Sequence, residues 1–142
     1  MFLGVAQGDF KGADIATVIG MIVLDYILAF MVLGLSGMFK NKTKSQPLAF
    51  TLGSLVVCVL RYIIHCVSGY IFFRSYAEWF FSQEGFTLGA DILTKYTGVS
   101  LSVIYTTVYN AMYMLPETII TLVVGFLLIT VVKKIGNPNE KM

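Results

Sequence analysis

The chain has 142 residues, 57% of them hydrophobic and 13% charged, with a mean hydropathy of +0.81. A soluble domain of this size rarely reaches that balance. The net charge of +2 comes without a basic stripe, which argues against a nucleic-acid partner.

The opening, Met1 to Gln7, lacks the basic start of a signal peptide, and a polar segment, Gly8 to Asp14, comes directly after it. It reads as the end of a helix. A spanning helix needs about 20 mostly apolar residues. The run at 15–39 meets that requirement with one charge, Asp25, and stops at the polar segment KNKTKSQ. Pro47 suits the first turn of the next helix, where its missing N–H costs nothing. That helix, at 48–73, carries Arg61 and His65. Cys58 and Cys66 lie eight apart on it, too far separated to bridge, and read as small core hydrophobes. Without a CxxC or a His-rich cluster, no structural metal site is expected.

The connection at 74–100 is too charged to span. Its aromatics Tyr76, Trp79, Phe80 and Phe81 fit an interfacial belt. A short interfacial helix fits there, and the glycines argue against a long one. The last run, at 101–134, contains Pro116. It is longer than a bilayer core of about 30 Å requires, so it must tilt, kink at Pro116 or project outward. Gly136, Asn137 and Pro138 are stop signals. The expectation is an all-α membrane protein, a helical bundle with three transmembrane helices forming one domain over 1–142.

Orientation follows from the lysines. Lys40, Lys42 and Lys44 occupy the first connection, and Lys133, Lys134 and Lys141 the C-terminus. The positive-inside rule puts both in the cytoplasm and the Trp79 connection outside.

Counted from the outer side, Asp25 lies about 15 Å deep and His65 about 12 Å. Tyr105, Tyr109 and Asn110 lie near the outer start of the last helix. Arg61, His65, Ser68 and Phe72 follow helical spacing and form one stripe. Ionisable groups at this depth need a partner, water or a ligand. A carboxylate, an imidazole, an amide and aromatic rings at one level suit a small cationic aromatic ligand. Structural alternatives stand beside that reading. Asp25 can form an ion pair with Arg61, His65 can bond a backbone carbonyl, and Tyr105 and Tyr109 can anchor at the interface. Glu117, just after Pro116, reads better as part of a helix restart. Gly34, Gly37 and Gly69 read as close-packing positions. No motif sets a nucleophile beside a base, and there is no phosphate-binding glycine loop.

The segments LDYILAFMVLGLSGMF, RYIIHCVSGYIFFRSYA and VYNAMYMLPE together resemble the thiamine-specific substrate-binding subunit (S component) of bacterial energy-coupling factor (ECF) transporters. The resemblance implies the C-terminal half of a six-helix fold, preceded by a remnant of the third helix in Met1 to Phe10. The chain is then N-terminally truncated relative to the family. The implied function is high-affinity thiamine binding in the bacterial plasma membrane, with no enzymatic activity and no cofactor. The implied partners are the transmembrane coupling subunit and two ATPase subunits, within membrane lipid. By position in the family motifs, the implied ligand-binding residues are Asp25, Tyr26, His65, Phe73, Tyr105 and Asn110. Asp25 stands where Glu is usual, and Phe73 where some members carry Trp. The alternative is an accessory or structural membrane protein without a ligand, including a non-functional truncated copy.

Overall fold

The computed structural model describes residues 14–136. The expected helix remnant at Met1 to Phe10, Lys141 and the stop signals Asn137 and Pro138 lie outside the described residues. Three helices are long and apolar enough to cross a membrane. They are α1 (Ile15–Gly37), α2 (Gln46–Phe72) and α5 (Gly98–Gly136). Two short helices, α3 (Ala77–Phe81) and α4 (Gly89–Lys95), fold the connection between α2 and α5. No strand occurs among the described residues. The chain is a multi-pass, all-α membrane protein.

Local chemistry explains the boundaries. Asp14 caps α1, its carboxylate accepting the Thr17 N–H at 3.0 Å, which satisfies one of the orphan donors of the first turn. Hydrogen bonds from Thr17 hold the Asp14 carboxyl below its ordinary pKa. Pro47 lies in the first turn of α2, as expected. Gly98 starts α5 at φ 56°, a left-handed conformation that glycine adopts without strain. The helix therefore begins three residues before Leu101. It then runs 39 residues, about 58 Å, unbroken through Pro116.

The helices pack antiparallel about α2. Along the α1–α2 seam, Gly20 meets the Phe72 ring at one end, Asp25 meets His65 in the middle, and Ser36 meets Gly53 at the other end. Along the α2–α5 seam, Gly69 abuts Thr106 and Asn110, and Phe50 abuts Gly125. A Cβ at Gly53 would strike the Ser36 carbonyl, so that backbone approach requires glycine. Gly69 packs closely, as expected. Gly34 and Gly37 do not, since a Cβ at either meets nothing within 4 Å; the close approaches on α2 are made by Gly53 and Gly69.

Helix α1 is not uniform. Residues Val23–Leu28 form a π-helical segment, in which the Ala29 N–H reaches Leu24 O five residues back. Residues Val32–Gly37 then tighten into a 3₁₀ helix.

The apolar core lies at the α3 end of the bundle. Ala77, Phe81, Leu101 and Tyr105 are buried together, with Phe73, Phe80 and Tyr109 packed around them. Phe80 and Phe81 are therefore core residues, not the belt aromatics that composition suggests; Tyr76 and Trp79 are the exposed pair. The five-residue helix α3 turns Ala77 and Phe81 to one face, which separates them from Trp79.

Candidate functional site

The π segment carries Asp25. A π turn adds a residue to the helix and rotates the stretch before it relative to the stretch after it. Here Asp25 is 6% exposed and aimed at α2, while its neighbour Tyr26 is 43% exposed. The described helices do not bring Tyr26 to Asp25's side of the bundle.

On α2, His65 and Ser68 are one turn apart and both buried. Ser68 Oγ donates to Asp25 Oδ2 at 2.8 Å. His65 Nδ1 lies 3.0 Å from Asp25 Oδ1. An ionised carboxylate only accepts, which places the proton on Nδ1 and turns Nε2 away from the acid. On α5, Asn110 is 1% exposed. Its amide donates to Thr106 O at 2.7 Å and to His65 O at 3.3 Å. Its Oδ1 accepts from the Tyr113 hydroxyl at 2.6 Å. The His65 ring meets Tyr113 edge-on, with centroids 6.2 Å apart. One hydrogen-bonded layer thus draws on all three spanning helices: Asp25 from α1, His65 and Ser68 from α2, Asn110 and Tyr113 from α5.

A second polar layer lies one turn along α2. Arg61 forms an ion pair with Glu117 of α5, and its guanidinium sits 5.6 Å from the Phe30 ring centroid of α1. The structural alternative of an Asp25–Arg61 pair is corrected by this geometry. Asp25 is satisfied by His65 and Ser68, and Arg61 pairs through one guanidinium nitrogen with Glu117, its buried Nε having no partner. Glu117 likewise does more than restart a helix, because it neutralises the charge across the seam. Cys58 and Cys66 are free and half-buried; the Cys66 thiol points at Thr106 O, 3.7 Å away.

Above the first layer, Tyr105, Tyr109 and Tyr113 succeed one another at four-residue intervals along α5. Neighbouring rings are 5.6 and 6.1 Å apart. Phe80 stands edge-on to Tyr105 and Tyr109 at 5.3 and 5.7 Å. Tyr105 is buried here and Tyr109 packs against it, so neither is an interface anchor; Phe73 packs against the same cluster. The ladder connects this aromatic end to the polar layer through Tyr113.

Of the six residues implied by family position, Asp25, His65 and Asn110 form one connected network. Tyr105 and Phe73 belong to the adjoining aromatic cluster, and Tyr26 points elsewhere. Sequence reasoning missed the roles of Ser68 and Tyr113. Each lies three residues from a predicted site residue on the same helical face, and that spacing was the available signal. Among the described residues, no group of three or more His, Cys, Asp or Glu side chains could hold a metal ion.

Comparison with known proteins points to one family. The pattern of the family described as "Thiamine transporter protein (Thia_YuaJ)" matches residues 4–83. Thiamine transporter ThiT of Bacillus subtilis (strain 168) is 35% identical over 116 residues, covering 75% of this chain and 50% of the relative. The chain therefore spans about half the length of the curated relative it matches. No solved structure matches. The family pattern covers more than half of the chain, including Asp25, His65 and Ser68 at the centre of the buried network, and the chain belongs to the thiamine transporter protein family.

Proposed function

We propose that this chain serves thiamine uptake as the membrane-embedded binding part of an ECF-type transporter. The observation that carries the reading is the buried Asp25–His65–Asn110 layer, built from three helices and joined to a ladder of tyrosines. A carboxylate held in a dry layer attracts a permanent cation strongly, and tyrosine faces favour the same charge. Thiamine supplies a cationic ring and a hydrogen-bonding heterocycle. In this reading Asp25 faces the cation, His65 and Asn110 address polar edges, and Tyr105 and Phe73 stack. Tyr26 reaches the ligand only if α1 rotates. Both Asn110 N–H groups already have acceptors in the protein, so ligand binding exchanges the His65 O or Thr106 O bond for one to the ligand.

The orientation belongs to the same proposal. The Lys40–Lys44 connection faces the cytoplasm, the α3–α4 connection faces outside, and the polar layer opens outward. One domain spans 1–142. A coupling subunit and two ATPases, as in the ECF transporters that the chain resembles, drive release. A Cys placed at Thr43 should stay protected from impermeant reagents in intact cells; labelling from outside would reverse the topology.

A second reading has an observation in its favour. Asp25 is held by Ser68 and His65, and Asn110 by His65 O, Thr106 O and Tyr113, which is also what structural polar glue between helices looks like. Calorimetry on the purified protein separates the two. The transport reading expects saturable thiamine binding, and packing alone expects none.

A further inference from the structure

The α3–α4 connection encloses a cleft of about 470 Å³ that the polar layer does not share. Glu78, Trp79 and Ser82 line one wall, Tyr96 and Thr97 the other, and Leu101 the floor. Its shape is fixed from below. Ala77 and Phe81 anchor α3 in the core beside Leu101, and Gly89 lets α4 lie against the Phe81 carbonyl, where a Cβ would clash. The side chains of Ser82 and Gln83 both donate to Trp79 O, at 2.8 and 2.9 Å. They clamp the backbone that presents the Trp79 ring.

The chemistry of the walls is selective. Glu78 is exposed and makes no ion pair among the described residues. Trp79 is 62% exposed, an unusual amount of open indole surface, and Tyr96 adds a second ring. Lys95 precedes Tyr96 and is exposed, and it makes no ion pair with Glu78. A free carboxylate lining the same cleft as two aromatic rings recognises a small organic cation by charge and by the ring quadrupole together. Trp is the best such platform.

We propose that this cleft is a second binding site, for small aromatic cations, at the mouth of the protein. It would hold the same class of solute as the buried layer, an extension that rests on the thiamine reading of that layer. The two sites lie at the two ends of the tyrosine ladder. Leu101, on the cleft floor, packs with Tyr105, and Tyr113 reaches Asn110. The cleft is open, so it binds weakly and exchanges fast, and it raises the solute concentration where the ladder begins.

Trp79 is the only tryptophan in the chain, so its fluorescence reports on the cleft directly. The experiment titrates N-methylpyridinium into the protein in neutral-lipid nanodiscs. The expected result is a saturable change in Trp79 emission, equal in the native chain and in Asp25→Asn. Glu78→Gln should raise the half-saturating concentration about threefold to fivefold, the size of one exposed charge contact. Benzyl alcohol, uncharged, should give no saturation. Linear quenching indifferent to Glu78→Gln would overturn the proposal, as would loss of saturation in Asp25→Asn, which would assign the signal to the buried layer. Failure of the thiamine reading has a different signature: no calorimetric binding at the buried layer, with the Trp79 titration intact.

Discussion

Asp25→Asn separates charge recognition from packing, because the substitution keeps the size of the side chain. In the folded chain an Asn oxygen at this position still accepts from Ser68 Oγ, 2.8 Å away in the native protein, and its amide donates to His65 Nδ1 once the imidazole proton moves to Nε2. What disappears is the charge. Hydrogen bonds to a charged group are about twice as strong as neutral ones of about 1 kcal/mol, so two of them lose about 1–2 kcal/mol of stability. A cation facing a desolvated carboxylate loses more, about 2–5 kcal/mol, which is roughly 30-fold to several-thousand-fold in Kd. Phe73→Leu removes one ring, worth about 0.5–2 kcal/mol of cation–π attraction. Calorimetry should therefore rank Asp25→Asn well below Phe73→Leu for thiamine, with only a small loss for an uncharged thiamine analogue. Thermal melting should show a modest drop. Because Arg61 has its own partner in Glu117, the variant does not strand a second buried charge. Equal losses for the charged and uncharged ligands would refute the reasoning and return Asp25 to a purely structural role through His65 and Ser68.

The helix seams supply further expectations. Gly53→Val should lower the thermal midpoint sharply, since even a Cβ there meets the Ser36 carbonyl, whereas Gly34→Ala, with open space around it, should leave the midpoint unchanged. Neutralising Arg61 alone (to Met) or Glu117 alone (to Leu) should destabilise the bundle by leaving a charge unpaired. Changing both together should cost less than the two single losses added, and strict additivity in the melting data would contradict the pairing. At the start of α1, the depressed Asp14 pKa means that the cap stabilises above the ordinary carboxyl pKa and is lost as pH falls through the lowered value. Hydrogen exchange at the Thr17 N–H should accelerate relative to its unprotected rate in that acid range. Asp14→Asn, which caps without titrating, should abolish the pH dependence.

The spanning helices were legible because hydropathy over some 20 residues is a strong signal and membranes impose it. The Arg61–His65–Ser68–Phe72 stripe was also legible, since regular spacing on α2 turns all four toward neighbours. Depth counting correctly put Asp25, His65 and Asn110 at one level. It could not assign partners, because level says nothing of facing: Arg61 is one turn from His65, and only the helix rotations decide that it meets Glu117. Facing on α1 was least legible. A reading at 100° per residue assumes one helical phase, and the π segment breaks that assumption at the residue that matters. Glycines misled for a related reason. Gly34 and Gly37 look like a packing motif, yet the 3₁₀ turn there presents the Ser36 carbonyl to α2 instead.

The π segment also divides α1 into two lengths that answer to different neighbours. The upper length is set by Gly20 against Phe72, and the lower by Ser36 against Gly53. A helix of one phase must satisfy both contacts with a single rotation. This one settles each contact independently and takes up the mismatch in a wide turn whose hydrogen bonds skip a residue. The wide turn is also where the acid sits. Converting it to a regular turn would restore a single phase, so one of the two tight contacts would have to rotate out of register. The two seams together therefore hold the wide turn in place, and with it the carboxylate against Ser68 and His65.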